Sequence, residues 1–380
     1  MTRSKIYYIA NARMPTERAH GLQIAKMCEA FIEAGVDVEL IVPRRGAMNQ
    51  SLQDFYGLRA AVPIKKLAVL DWYHRGRIGF WLSSCTFMAA YFFYFLWLRL
   101  RSGTGVVYTT DIDQFSWACI PFVGKRYFVE LHDAKKYGML YAFFLRRAEG
   151  IVVINERIKY AVMREFGIPE NRVRVHPNGI DLVFFSDMPS QSEARAALGI
   201  PRDRFIALYL GKIYPWKGLG IIAEAARLAS GSFFYLVGGT RKEFEETTKS
   251  TIGNASILCM GHRPYQEVRQ WLAAADVLLV LGTRAHEYSY YHTSPMKLFE
   301  YMASHRPIVA ARTPANEEIV SDEEVIFYMP DDAADCARAI GETRVDPEAH
   351  REKTARAYEK VRPYAWPARA RSILDFIAAN

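Results

Sequence analysis

The stretch YHTSPMKLFEYMASHRPIVA, residues 291–310, sets one carboxylate, Glu300, among Leu298, Phe299, Tyr301 and Met302. A charge in such surroundings needs a partner. Lys297, three residues earlier on the same helix, could supply it as half of a solvated surface pair. The alternative is a ligand, because a carboxylate accepts from two neighbouring hydroxyls at once, as the ribose of a nucleotide presents them. A second group lies in GKIYPWKG, residues 211–218, where Gly211 opens a turn that carries Lys212 and Lys217 towards the helix GLGIIAEAARLA. Two ammonium groups beside a helix N-terminus make a site for a diphosphate. Solvated loop lysines are the plainer reading, which the position after a strand and before a helix disfavours.

Other candidates are weaker. His132 ends the strand-like run KRYFVEL, where a histidine is usually a hydrogen-bonded structural residue. Gly21 opens a helix and could let backbone approach a phosphate. Asp111 and Asp113 form a D-x-D pair that could hold a divalent metal, but two acids at a helix start also complement its dipole, and no third ligand is evident. The five cysteines are scattered, without metal or redox spacing, and suggest a reducing cytosol. Gly218-Leu219-Gly220 imitates a dinucleotide fingerprint, but it falls outside a tight turn and the next strand ends in Gly238-Gly239 with no acid for a ribose. No G-x-x-x-x-G-K-[ST] loop occurs, so NAD and ATP are disfavoured.

These residues need elements to hold them. A chain of 380 residues with 51% hydrophobic content exceeds one ordinary core and predicts two domains. KIYYIA, VDVELIV, GVVYTTD, KRYFVEL, GIVVIN and RVRVHP alternate with helical segments, which predicts a doubly wound parallel sheet. FIALYLG, SFFYLVGG, ASILCMG, DVLLVLG, RPIVAA and VIFYM predict a second one. The polar segment SDMPSQSEARAALGIPRD reads as the connection between them. Ser294-Pro295 marks a helix start, with about ten helical residues before Pro307. The N-terminus enters a strand directly and lacks the pattern of a signal peptide.

The net charge of +8 favours anionic partners. Residues 78–98 carry no charge and are flanked by arginines. Their length would cross a bilayer, but a crossing would separate the first strands from those they should pair with. An interfacial helix or a packed domain helix fits better. No basic stripe with interleaved aromatics of the kind single strands require is visible, so nucleic acid is disfavoured.

HGLQIAKMCEAFIEAGVDVEL, HPNGID, LGKIYPWKG, AADVLLVL, SPMKLFEYMASHRPIVA and YAWPARARSILDFI together resemble the retaining glycosyltransferases of family 4, with the two-domain GT-B fold. The likeness spans nearly the whole chain and is most specific in its C-terminal half. It implies two Rossmann-like domains, residues 1–185 and 186–362, and a terminal segment, residues 363–380, crossing back to the first. It further implies transfer of a sugar from a UDP- or GDP-sugar to a saccharide or lipid-linked acceptor of the bacterial cell surface, in a cleft between the domains, without metal or other cofactor. By position, Lys217 and Lys212 would meet the diphosphate, Glu300 the ribose, His132 the donor sugar, and Gly21, Gly211, Ser294 and the amides of Met296 and Lys297 the phosphates. Two departures matter: Lys212 stands where the family often has arginine, and His292 where it commonly has a sugar-binding glutamate. Glu287 and nearby tyrosines offer replacements. A cytoplasmic enzyme held at the inner membrane face is the expectation, with a sugar-nucleotide epimerase of the same fold or a non-catalytic membrane or nucleic-acid scaffold as alternatives.

Overall fold

Short apolar strands separated by amphipathic helices can bury both faces of a sheet only if the helices cover it on each side. The computed structural model describes residues 5–380 except 47–49, 102–104, 111–116, 124–125, 254–255, 295 and 346. It contains two compact units, Met1–Asn178 with Trp366–Asn380, and Gly179–Ala365.

In the first unit seven strands, β1 (Lys5–Ile9), β2 (Asp37–Pro43), β3 (Ile64–Leu67), β4 (Val106–Thr110), β5 (Tyr127–Leu131), β6 (Gly150–Val153) and β7 (Val173–Val175), form a sheet of order 3-2-1-4-5-6-7. In the second, β8 (Phe205–Leu210), β9 (Ser232–Val237), β10 (Ile257–Cys259), β11 (Val277–Val280), β12 (Ile308–Ala311) and β13 (Ile326–Tyr328) take the order 10-9-8-11-12-13. Every pairing is parallel. The predicted strands are all present, and β3 is an addition. Its sequence IKKL hides in a lysine-bearing stretch because it lies at a sheet edge, where lysine is a common guard.

Two segments differ from expectation. The polar stretch read as a connection holds the helix Gln191–Leu198, started by a reciprocal Ser190–Glu193 capping box and ended by left-handed Gly199. Its Arg195 is buried and pairs with Asp276 at 2.7 Å, so the polar residues cover one face of a packed helix. The helix at the Glu300 site is shorter than ten residues, Met296–Met302, because the chain leaves helical geometry before His305 at φ 56°. Asp111, Asp113 and Pro295 lie outside the described residues.

The charge-free run forms the helix Gly76–Leu100, which is long and apolar enough to cross a membrane. Gly79, Ser83, Phe87, Tyr91 and Phe95, four residues apart, are buried, and the three aromatics join the core of the first sheet with Tyr7, Ile41 and Val107. The helix therefore packs on the sheet along one side.

The C-terminal helix, Trp366–Ala379, belongs to the first unit and lies against the helix Ala19–Glu33. Its Arg369 is fully buried and meets Glu130 of β5 at 2.8 Å, while Tyr108 donates to the same carboxylate at 2.5 Å and Arg369 also donates to the Pro177 carbonyl at 2.9 Å. Burial alone would raise the Glu130 carboxyl, but Arg369, His132 and Tyr108 hold it well below the usual carboxylate range. Removing one partner of a buried pair strands the other. Arg369→Ala is expected to cost about 3 to 5 kcal/mol of stability, measured as a lower denaturant midpoint for the first unit.

Candidate functional site

In a wound parallel sheet ligands collect beyond the carboxyl ends of the strands, where the strand order reverses. In the second unit that point lies between β8 and β11. The loop leaving β8 carries Gly211, Lys212 and Lys217; the loop leaving β11 leads to His292, Ser294 and the helix Met296–Met302. Tyr301 fixes that helix to the end of β8, its hydroxyl accepting from the Leu210 amide at 2.9 Å.

Gly211 has φ 144°, and its amide donates to the Val237 carbonyl at 2.7 Å. A Cβ there would lie 2.8 Å from Lys297 Nζ and 3.6 Å from Lys217 Nζ, so a glycine is what lets two ammonium groups converge on the strand end. Lys217 Nζ donates to the Lys212 carbonyl at 3.0 Å and faces the Tyr214 and Trp216 rings at 5.1 and 5.4 Å. Lys297 Nζ stands 3.9 Å from the centre of the buried Tyr209 ring. Ring faces and a carbonyl hold the cations without neutralising them. Burial, with Lys212 nearby, brings the Lys217 ammonium down to about 8. Burial and Lys217 hold Lys297 well below the ordinary lysine range, against the opposing pull of Glu300.

Glu300 is buried, and the Tyr265 hydroxyl bonds to it. Burial pushes its carboxyl up to about 7, against the Tyr265 bond and Lys297. Tyr265 stacks on Phe184 at 5.0 Å, which fixes its ring. The surface-pair reading of Lys297 and Glu300 thus gives way to another arrangement: Lys297 turns to Tyr209 and Gly211, and Glu300 to Tyr265. Ser294 is buried and Met296 half-buried at the start of the helix. His292 closes a π-helical turn, Tyr288–His292, with its Nε2 3.7 Å from Glu287. Trp216 packs edge-on against Tyr288 at 5.0 Å, joining the two loops.

Gly21 and His132 belong to the first unit. A side chain at Gly21 would collide with the Tyr56 hydroxyl and with Thr16, which exchange hydrogen bonds at 2.8 Å. The absence of a side chain there serves this packing. His132 Nε2 lies 2.7 Å from Glu130 and 3.1 Å from the Gln23 amide, so the strand-end histidine is tied into the buried Arg369 network. Glu130 stands in an apolar run, which signals a buried partner, whereas Arg369, two residues before Arg371, does not show itself as that partner. Tyr209 and Tyr265 carried no such signal. Among the described residues no group of three or more His, Cys, Asp or Glu could hold a metal ion.

Two Rossmann-like parallel sheets, of seven and six strands, place the chain in the GT-B class of α/β protein. Residues 21–184 match the family model Glycosyltransferase Family 4 and residues 204–344 the model Glycosyl transferases group 1, and the chain belongs to this family of glycosyltransferases. A D-inositol 3-phosphate glycosyltransferase of Nocardioides sp. is 30% identical over 227 residues, 53% of this chain and 47% of that protein. The chain spans about half the length of the curated relatives it matches. A sucrose-phosphate synthase from Thermosynechococcus elongatus shares the fold with a TM-score of 0.78 at 18% identity, covering 100% of both chains. Anabaena HepE in complex with UDP-glucose gives 0.73 at 17%, covering 99% of this chain and 100% of that one.

A buried carboxyl raised to about 7 binds its proton more tightly in the folded than in the unfolded chain, so stability falls as pH rises from about 4.5 to 7. Glu300→Gln removes that loss. The variant is expected to be more stable than the parent at pH 8 by roughly 1 to 3 kcal/mol, and nearly equal at pH 4.5, in paired thermal melts.

Proposed function

We propose that the chain is a retaining glycosyltransferase that moves a sugar from a UDP- or GDP-sugar to a saccharide or lipid-linked acceptor in cell-surface polysaccharide synthesis. The observation that carries this reading is the convergence of Lys217 and Lys297 on Gly211, two cations held by rings and a carbonyl and left open to an anion. A diphosphate supplies that anion. Glu300, one helical turn on, suits the ribose hydroxyls, and the first-turn amides at Met296 and Lys297 have no acceptor within their own helix. The family match and the UDP-glucose bound by HepE support the donor class.

Cleaving a glycosyl phosphate bond builds negative charge on the diphosphate and positive character on the sugar. Lys212, Lys217 and Lys297 stabilise the first, so the reaction requires no metal ion. With retention, the acceptor hydroxyl enters on the face the phosphate leaves, and a donor phosphate oxygen takes its proton. We assign His292, with Glu287 3.7 Å away, to the sugar hydroxyls, and Gly211 and Ser294 to the diphosphate.

A thermal-shift panel of sugar nucleotides identifies the donor, since a bound ligand raises the melting point with its occupancy. With that donor, Lys217→Ala and Glu300→Gln are each expected to lower transfer by at least about tenfold, or about 1.4 kcal/mol, with parental turnover unchanged by excess chelator. Normal turnover in both variants would overturn the assignment. A diphosphate favours the charged form of Lys217, so donor affinity should fall as pH rises through about 8. Calorimetry in buffers of different ionisation heat should record proton uptake on binding near that pH.

A further inference from the structure

The helix Gly76–Leu100 is apolar on its outer side as well as its inner one. Opposite the buried stripe, Ile78, Leu82, Ala89, Phe93, Leu96 and Leu100 form a second stripe, spaced three or four residues apart except for the two-turn step from Leu82 to Ala89, all of them exposed. Phe93 is 65% exposed and Leu100 82%. A helix on a solvated surface carries polar residues there. This stripe runs for about 33 Å at 1.5 Å per residue, with Trp81 exposed near one end and Trp97 near the other. It continues past the helix: Arg99 donates to the Val123 carbonyl at 2.8 Å, and exposed Phe122 stacks on Phe143 at 5.7 Å beside exposed Met139 and Leu140.

The charge that flanks it in sequence has one sign, and Glu39 of β2 meets the helix through Tyr94. No Asp or Glu occurs between Asp71 and Asp111, while Arg75, Arg77, Arg99 and Arg101 bracket the stripe, all exposed. Arg75 lies 5.2 Å from the Trp72 ring and Arg101 4.5 Å from the Trp97 ring, so two of the cations are paired with aromatics that favour a boundary between water and hydrocarbon.

We infer that the outer face of Gly76–Leu100 docks on an anionic phospholipid surface, lying in the plane of the headgroups with its apolar stripe inserted and the arginines on lipid phosphates. The inner stripe, locked into the sheet core, prevents the helix from spanning. The inference stands apart from the transfer reaction; only its corollary, that the acceptor is lipid-linked, rests on the proposed function.

Vesicle flotation of the full chain without donor tests it. Binding is expected to phosphatidylglycerol-containing vesicles, weakened by salt, with at least tenfold less to phosphatidylcholine alone and a blue shift of tryptophan emission. Phe93→Asp with Leu96→Asp, and separately Arg77→Glu with Arg101→Glu, are expected to reduce binding at least tenfold, with melting temperature and sugar-nucleotide binding unchanged. Should the aspartate pair disturb folding, Phe93→Ser and Leu96→Ser provide a milder test. Binding that survives in every folded variant, absence of binding to anionic vesicles, or a dimer in sedimentation that the same substitutions dissociate would each overturn the inference. Sugar-nucleotide binding measured without lipid reports on the transfer reading independently.

Discussion

The second unit depends on bringing like charges together away from water. Lys217 and Lys297 meet over one glycine at the end of β8, and burial depresses both. Such an arrangement opposes folding unless something compensates, and the compensation is partial: the Tyr209 ring beneath Lys297, the Lys212 carbonyl on Lys217, and the aromatic pair Tyr214 and Trp216. Partial compensation suits a binding site. A fully paired cation would gain little from a ligand, whereas these two gain what the protein withholds.

Glu130 and Arg369 show the opposite arrangement. They too are buried charges, but their oxygens and nitrogens are matched by each other, Tyr108, Gln23, His132 and the Pro177 carbonyl. The effect on the acid has the opposite sign: Glu130 is held ionised, whereas Glu300 is held close to neutral. One cluster therefore fastens the C-terminal helix to the first sheet, and the other keeps its charges available. His132 touches the first cluster directly, and Glu130 fixes the orientation of its ring.

Much of this was legible because the signals were local. Each predicted strand was an apolar run flanked by turn residues, and the lysine turn and Glu300 declared themselves by being charged where their neighbours were not. The missing parts depended on distance in sequence. Tyr265 reaches Glu300 across 35 positions, and Tyr209 serves the lysines although it alternates in β8 like any core residue. The helix Gln191–Leu198 was hidden differently, since its Ser190–Glu193 capping box has the same composition as a linker. Edge strand β3 was hidden by the lysines that protect it.

The helix Gly76–Leu100 shows what a hydropathy average discards. Its length and lack of charge permit a membrane span, a core helix or an interfacial one equally. Face decides among them. A core helix within a larger protein would be covered all round, and a span would have no side committed to a soluble sheet. Here Phe87, Tyr91 and Phe95 sit in the first core while Phe93, Leu96 and Leu100 point away from it. Helical spacing along both sides is present in the sequence. Which stripe faces inward becomes visible only when the sheet supplies the partner, because both stripes are apolar.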